Sequence, residues 1–242
     1  MKLDTRIFPD IDALSRGTLE EVLCNLKEAV AQRGRFAIAL SGGHTPAKMY
    51  ALWGAPGKYR DETPWDRVHM FWGDERYVPA DDPLSNYRMT REALLAHVPI
   101  PAANVHPAPT SLPTPEKAVE AYDAQLRGFF GAAEPAFDVT LLGLGPEGHC
   151  ASLFPGSPAL EEKQRWVVAV QVAAKPPNRL TLTLPVLNRS RNVYFLVAGK
   201  DKREILAALR SEPDSRPSQY PAGRIRPTDG RVLWMLDQAA AD

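Results

Sequence analysis

The chain has 242 residues, is 44% apolar, and carries 29 Lys plus Arg against 29 Asp plus Glu. That length allows one large α/β domain or two small ones, and the even charge balance excludes a global basic excess for nucleic acid or anionic lipid. Two cysteines, Cys24 and Cys150, give neither a disulfide framework nor paired metal-ligand spacing, which fits a reducing, cytoplasmic setting.

At the N-terminus, MKLDTRIFPDID puts charges where a signal peptide needs an apolar stretch, and no run of about 18 apolar residues occurs, so no membrane segment is expected. In LEEVLCNLKEAVAQRG the residues Leu19, Val22, Leu23, Leu26 and Val30 recur at helical spacing, and Gly34 follows as a stop. RFAIAL (35–40) predicts a buried strand. SGGHTPAKMYALW (41–53) predicts a loop turning into a helix, with Thr45 as N-cap and Pro46 at the first helical position. A second strand, RVHMFW (67–72), runs into the polar loop GDERYVPADDPLSN (73–86), and YRMTREALLAH (87–97) continues as a helix. Residues 99–115 form a proline-rich connector before the helix EKAVEAYDAQLRGFF (116–130) and the strand FDVTLLGL (137–144). Strands WVVAVQVA (166–173), RLTLTL (179–184) and NVYFLVAG (192–199) follow, then the helix KDKREILAALR (200–210) and the strand RVLWMLD (231–237). A second proline-rich stretch, 213–227, predicts an ordered surface connection. Strands alternating with helices predict an α/β fold with a mainly parallel sheet covered by helices on both faces. No repeat and no dividing linker stands out, so residues 1–242 are expected to form a single domain.

In such sheets ligands gather at the carboxyl ends of the strands, where three loops carry chemistry. Residues 41–45 offer glycine amides and hydroxyls beside a helix start, which suits a phosphate; a tight turn whose hydroxyls merely cap the helix explains them equally. No Gly-Lys-Ser/Thr ends this loop, so it is not a nucleotide P-loop. In GDERYVP, Asp74, Glu75 and Arg76 could meet a polar substrate or form a solvated ion pair. In GLGPEGHCASLFPG, an apolar run ends in a glycine-rich stretch with His149 two residues after Glu147. This histidine is either a general base or a packed structural residue. Arg179 starts a strand beside two prolines. Lys200 and Lys202 start a helix, where cations are disfavoured unless an anion is present; a solvent-exposed helix start explains them equally. The five histidines, at 44, 69, 97, 106 and 149, show no i, i+4 pair of a helical zinc site, and no metal is expected.

Taken in order, LSGGHTPAKMYALW, FWGDERYVPADDPLSNYRM, LLGLGPEGHCASLFPG, PPNRLTLTLPVLN and VYFLVAGKDKREIL resemble the 6-phosphogluconolactonase family across nearly the whole chain. The resemblance implies a Rossmann-like sheet and hydrolysis of 6-phosphogluconolactone in the pentose phosphate pathway, without a cofactor. It implies that His149 activates water and later protonates the leaving alkoxide, with Glu147 in place of the usual aspartate beside it. Arg76 would stabilise the oxyanion, and Asp74 would bind sugar hydroxyls or orient other groups. Ser41, Gly42, Gly43 and Thr45, with Arg179 and Lys202, would hold the 6-phosphate, and Asn86, Gly145 and Gly148 would complete the substrate contacts. The expected partner is a small sugar-phosphate lactone, with no nucleic acid or membrane, and a monomer or homodimer in the cytoplasm.

Two rival functions are weighed against this one. Glucosamine-6-phosphate deaminases share the phosphate loop and the Gly-His, but carry Asn-Glu-Pro after the histidine. Here Phe154 stands where that glutamate would be, and Arg76 replaces the tyrosine of an Asp-Glu-Tyr pattern. A sugar-phosphate-binding regulator would carry a DNA-binding module, for which this chain has neither spare length nor basic excess.

Overall fold

A computed structural model describes residues 3–131, 135–213 and 217–242. Residues 214–216, inside the second proline-rich stretch, lie outside the described residues. In chain order the elements are β1 (Thr5–Phe8), α1 (Ile11–Arg33), β2 (Phe36–Leu40), α2 (His44–Gly54), α3 (Lys58–Asp61), β3 (Val68–Trp72), β4 (Asp74–Arg76), α4 (Asn86–Ala93) and β5 (Val105–His106). Then come α5 (Pro115–Phe130), β6 (Val139–Leu142), β7 (Val167–Gln171), β8 (Asn178–Leu182), α6 (Leu184–Leu187), β9 (Asn192–Val197), α7 (Arg203–Ser211), β10 (Arg231–Asp237) and α8 (Gln238–Ala241).

Seven strands pair in the order β1-β10-β9-β6-β2-β3-β5, every pair parallel. Strand β2 shows why such a sheet reads as an unbroken apolar run. Phe36, Ile38 and Leu40 enter one core with Leu19, Val22 and Trp53, while Ala37 and Ala39 enter the other with Phe71, Tyr122 and Leu126. With successive side chains alternating between faces, both faces must be apolar. The first core lies under α1 and α2, the second under α5, α7 and a separate three-stranded antiparallel sheet, β4-β8-β7.

The strand order reverses between β2 and β6. From β2 the chain moves outward through β3 and β5, then returns with β6 on the opposite side of β2 and proceeds to β9 and β10. Strands β2 and β6 pair only at Ile38–Val139 and Ala39–Thr140. Such a reversal point opens a crevice beyond the carboxyl ends of the two strands.

The structure departs from the sequence reading where short or non-local elements decide. Helix α1 begins at Ile11, well before residue 19, because the Asp10 carboxylate accepts the Ala13 N–H at 2.7 Å and caps it. Helix α2 begins at His44 with Gly43 as N-cap, so Thr45 is not the cap and Pro46 lies within the first turn. The helix expected over 200–210 is a 3₁₀ turn at Lys200–Lys202 followed by α7. Two short strands, β1 and β5, extend the sheet at its edges, β5 from inside the first proline-rich connector. Residues 74–76 form a strand rather than a loop, paired antiparallel with β8.

Candidate active site

A cleft of about 410 Å³ opens at the carboxyl ends of β9, β6, β2 and β3, four adjacent central strands. Where β2 and β3 end, two buried tyrosines satisfy backbone groups that no neighbouring strand reaches. Tyr50 accepts the Ser41 N–H at 3.0 Å and donates to the Ser41 carbonyl at 2.9 Å; Tyr122 does the same for Trp72 at 2.8 and 2.9 Å. Burial pushes both phenols up, so they remain neutral donors. The backbone of the Ser41 loop is therefore fixed. No side chain caps α2, and its first turn lines the cleft, so its uncapped N-terminus adds a positive dipole end to the site.

Gly42 admits a close neighbour: a Cβ there would fall 1.9 Å from Asn86 Oδ1. The Asn86 side chain donates to the Asp74 carbonyl at 3.0 Å and to Asp74 Oδ1 at 3.3 Å. Asp74 Oδ2 accepts the Ser152 hydroxyl at 2.6 Å. Glu75 points the other way. Its carboxylate accepts the N–H groups of Arg76, Asn86 and Tyr87, each at 2.7 Å, and so caps the start of α4. Burial raises its pKa, and the three amides hold it down in part.

Arg76 on β4 stands directly opposite Arg179 on β8. Directly opposed residues share a face, and these two like charges both line the cleft. Arg76 donates to the Leu84 carbonyl at 2.8 Å, but its buried Nε has no hydrogen-bond partner. Arg179 is only 6% exposed, and burial together with the nearby Arg76 depresses its pKa. Two cations forced together this way are a site for an anion.

His149 lies on the third side of the cleft. Its ring stacks on Phe154 at 4.1 Å between centroids, and a Cβ on Gly145 would fall 2.0 Å from its Cε1 and Nδ1. Glu147 Oε2 is 3.1 Å from Nδ1 but off the donor axis, so the contact is electrostatic support and Nδ1 has no hydrogen bond. Burial pulls the imidazole below its ordinary pKa, with Glu147 and Asp74 drawing it partly back. The ring is therefore neutral near pH 7 and available as a base. The next residue but one, Ala151, carries φ 48°, a backbone strain at the cleft wall.

The cleft brings together Ser41, Gly42, Gly43, Thr45, Asp74, Arg76, Asn86, Gly145, His149, Arg179 and Lys202. Lys200 is exposed and lies outside it. Two expected residues do not line it. Glu147 stands behind the imidazole, half exposed. Gly148 packs instead against Tyr220, where a Cβ would meet the ring at 2.6 Å, and its carbonyl accepts the Ala222 N–H. His44, Ala151 and Ser152 escaped the sequence reading. His44 carried a signal, its place in the first turn of a phosphate-type loop; Ser152 carried none, since only its non-local bond to Asp74 marks it.

The sequence matches the family described as glucosamine-6-phosphate isomerases/6-phosphogluconolactonase over residues 9–234. A 6-phosphogluconolactonase of Synechocystis sp. is 45% identical over 91% of this chain and 90% of its own length. One from Nostoc sp. is 42% identical over 99% and 98%. The solved 6-phosphogluconolactonase of Trypanosoma brucei superposes with a TM-score of 0.84 at 32% identity, over 99% of this chain and 98% of that one. A monomeric glucosamine-6-phosphate deaminase superposes with a TM-score of 0.81 at 19% identity, over 99% of both chains, a likeness of fold alone. The match along nearly the whole sequence, together with relatives at 42–45% identity, shows that this chain belongs to the glucosamine-6-phosphate isomerase/6-phosphogluconolactonase family.

Proposed function

We propose that the chain, working as one domain, hydrolyses 6-phosphoglucono-1,5-lactone to 6-phosphogluconate. The observation that carries this reading is a neutral imidazole sharing one cleft with two opposed arginines and an uncapped helix start. Ester hydrolysis needs a base for water, a positive site for the oxyanion and a hold on the rest of the substrate. Glu147 beside Nδ1 favours the proton there, which leaves Nε2 as the basic nitrogen. That nitrogen takes a proton from water as the oxygen bonds to the lactone carbonyl carbon. Arg76, lining the cleft, stabilises the oxyanion. As the tetrahedral intermediate collapses, the ring C–O bond breaks and His149 returns the proton to the departing alkoxide. The first turn of α2, Arg179 and Lys202 hold the phosphate, and Asp74 and Asn86 meet sugar hydroxyls.

The stacking of Phe154 on His149 favours the lactonase over the deaminase reading, because a hydrocarbon face occupies the position at which deaminases resemble one another in carrying a relay carboxylate. A cytoplasmic monomer or homodimer fits this role, and light scattering on the purified protein reads the assembly. The test of function is hydrolysis of synthetic δ-lactone, corrected for spontaneous opening, by the protein and by His149→Asn. The variant should lose about 10² to 10⁴-fold in kcat with its melting temperature nearly unchanged. Turnover per folded molecule within a few fold of the parent would remove His149 from the mechanism. Ammonia release from glucosamine 6-phosphate with no lactone hydrolysis would transfer the chain to the deaminase reading.

A further inference from the structure

We infer that Ser152 is a positioning residue for this reaction: its hydroxyl fixes the Asp74 carboxylate and pins the His149 loop to the strand pair that carries the two arginines. The inference rests on the lactonase reading and adds a residue to it.

Ser152 is fully buried and cannot touch substrate, whereas Asp74, 8% exposed, lines the cleft. Both ends of Ser152 grip one rung of the β4–β8 ladder. Its hydroxyl donates to Asp74 Oδ2 at 2.6 Å, and its N–H donates to Thr181 Oγ1 at 3.3 Å. Thr181 lies directly opposite Asp74. Two residues further along the same ladder, and therefore on the same face, Arg76 lies opposite Arg179. His149 precedes Ser152 by three residues in a loop that turns sharply through Ala151 and closes with an N–H bond from Leu153 to the Cys150 carbonyl. The separation between the base and the two cations is thus set at the Ser152 rung.

The bond also decides where the acid points. Among the described residues no cation pairs with Asp74; each of its oxygens is held by a neutral donor, Ser152 on Oδ2 and Asn86 on Oδ1. Neutral donors fix the direction of a carboxylate without cancelling its charge. Removing the hydroxyl frees one oxygen to rotate and loosens the loop by the same stroke. An error of about 1 Å in a reacting geometry is enough to cost roughly 10²-fold in rate.

The experiment is a double-mutant cycle on synthetic 6-phosphogluconolactone, with kcat, KM and melting temperature measured for Ser152→Ala, Asp74→Asn and the pair. Turnover by the parent protein tests the lactonase reading first and separately. With that activity present, Ser152→Ala should lower kcat/KM by about 10 to 100-fold, kcat falling as the His149 loop shifts and KM rising as Asp74 loses its aim on the sugar hydroxyls. In the Asp74→Asn background the same change should cost less than about threefold, because the group it acts through is already altered. Equal losses in both backgrounds, or a loss of kcat that follows the fraction unfolded, overturn the inference. Should Ser152→Ala fail to fold, Ser152→Cys keeps the volume and a weak donor, and its cycle with Asp74→Asn makes the same comparison.

Discussion

Gly145→Ala puts the role of His149 under a geometric test. A methyl at this position would stand 2.0 Å from both Cε1 and Nδ1 of the imidazole, where ordinary contacts start at 3.4 Å. Gly145 has no left-handed backbone to defend, and the three atoms nearest such a methyl all belong to the imidazole. The ring must withdraw by about 1.4 Å, the difference between those distances. Its side chain is 23% exposed, so it can swing outward, giving up the stack on Phe154. That stack contributes about 0.5–1.5 kcal/mol, and for a chain of this size 1 kcal/mol moves the melting temperature by about 2–4 °C. The expected stability loss is therefore a few degrees. The catalytic loss is far larger, since displacing a base by more than an ångström costs about 10²-fold or more. Lactone hydrolysis is followed by acid release at constant pH, with the uncatalysed rate subtracted. A variant that keeps kcat/KM within about threefold of the parent, while folded, would show that the imidazole's position does not matter to turnover.

Arg179→Ala should lower kcat/KM on the phosphorylated lactone by about tenfold or more and leave unphosphorylated gluconolactone nearly unaffected; equal losses on both would show that Arg179 does not read phosphate. The acid limb of kcat/KM should lie below the usual imidazole value of about 6.5, because burial lowers the His149 pKa. Glu147→Gln removes a charge that raises it and should move the limb to still lower pH, whereas a shift to higher pH would contradict the contact seen here. Away from the cleft, His69 Nδ1 and His106 Nε2 meet at 3.3 Å, and burial lowers both pKa values, His106 to about 4. The unfolded chain then takes up protons first as the pH falls, so the stability from this neutral pair is complete above about pH 6.5 and is lost toward pH 4. His106→Phe retains the stack on Phe71 and should flatten the melting temperature across that window; an unchanged slope would refute the assignment.

The parallel sheet and the loops around its crevice were readable in the sequence because they follow from local signals. Buried strands such as FAIAL announce themselves as apolar runs, and the loops after them carry the glycines, His149, Asp74 and Arg76. The three-residue strand β4 did not announce itself. Asp-Glu-Arg has no strand pattern, and only pairing with β8, roughly a hundred residues away, makes it one. The same distance hid the opposition of Arg76 and Arg179, which the sequence reading assigned to separate tasks. Glu75 stood with Asp74 and Arg76 among the residues that could meet a polar substrate, yet its bonds run to the start of α4. Thr45 looked like a cap because its neighbour is proline, but the helix starts two residues earlier than that pattern suggests.

The opposed arginines also repel each other, a repulsion that Asp74 offsets only in part, and this makes ligand binding and thermal stability reciprocal. An anion seated between them removes that repulsion as well as adding its own contacts, so inorganic phosphate should raise the melting temperature, by an amount that grows with concentration as mass action requires. Added neutral salt screens the same repulsion only weakly, since Arg179 is buried. A charge reversal at one rung, such as Arg179→Glu, would then yield a protein that melts higher when empty and no longer responds to phosphate, trading ligand sensitivity for rigidity.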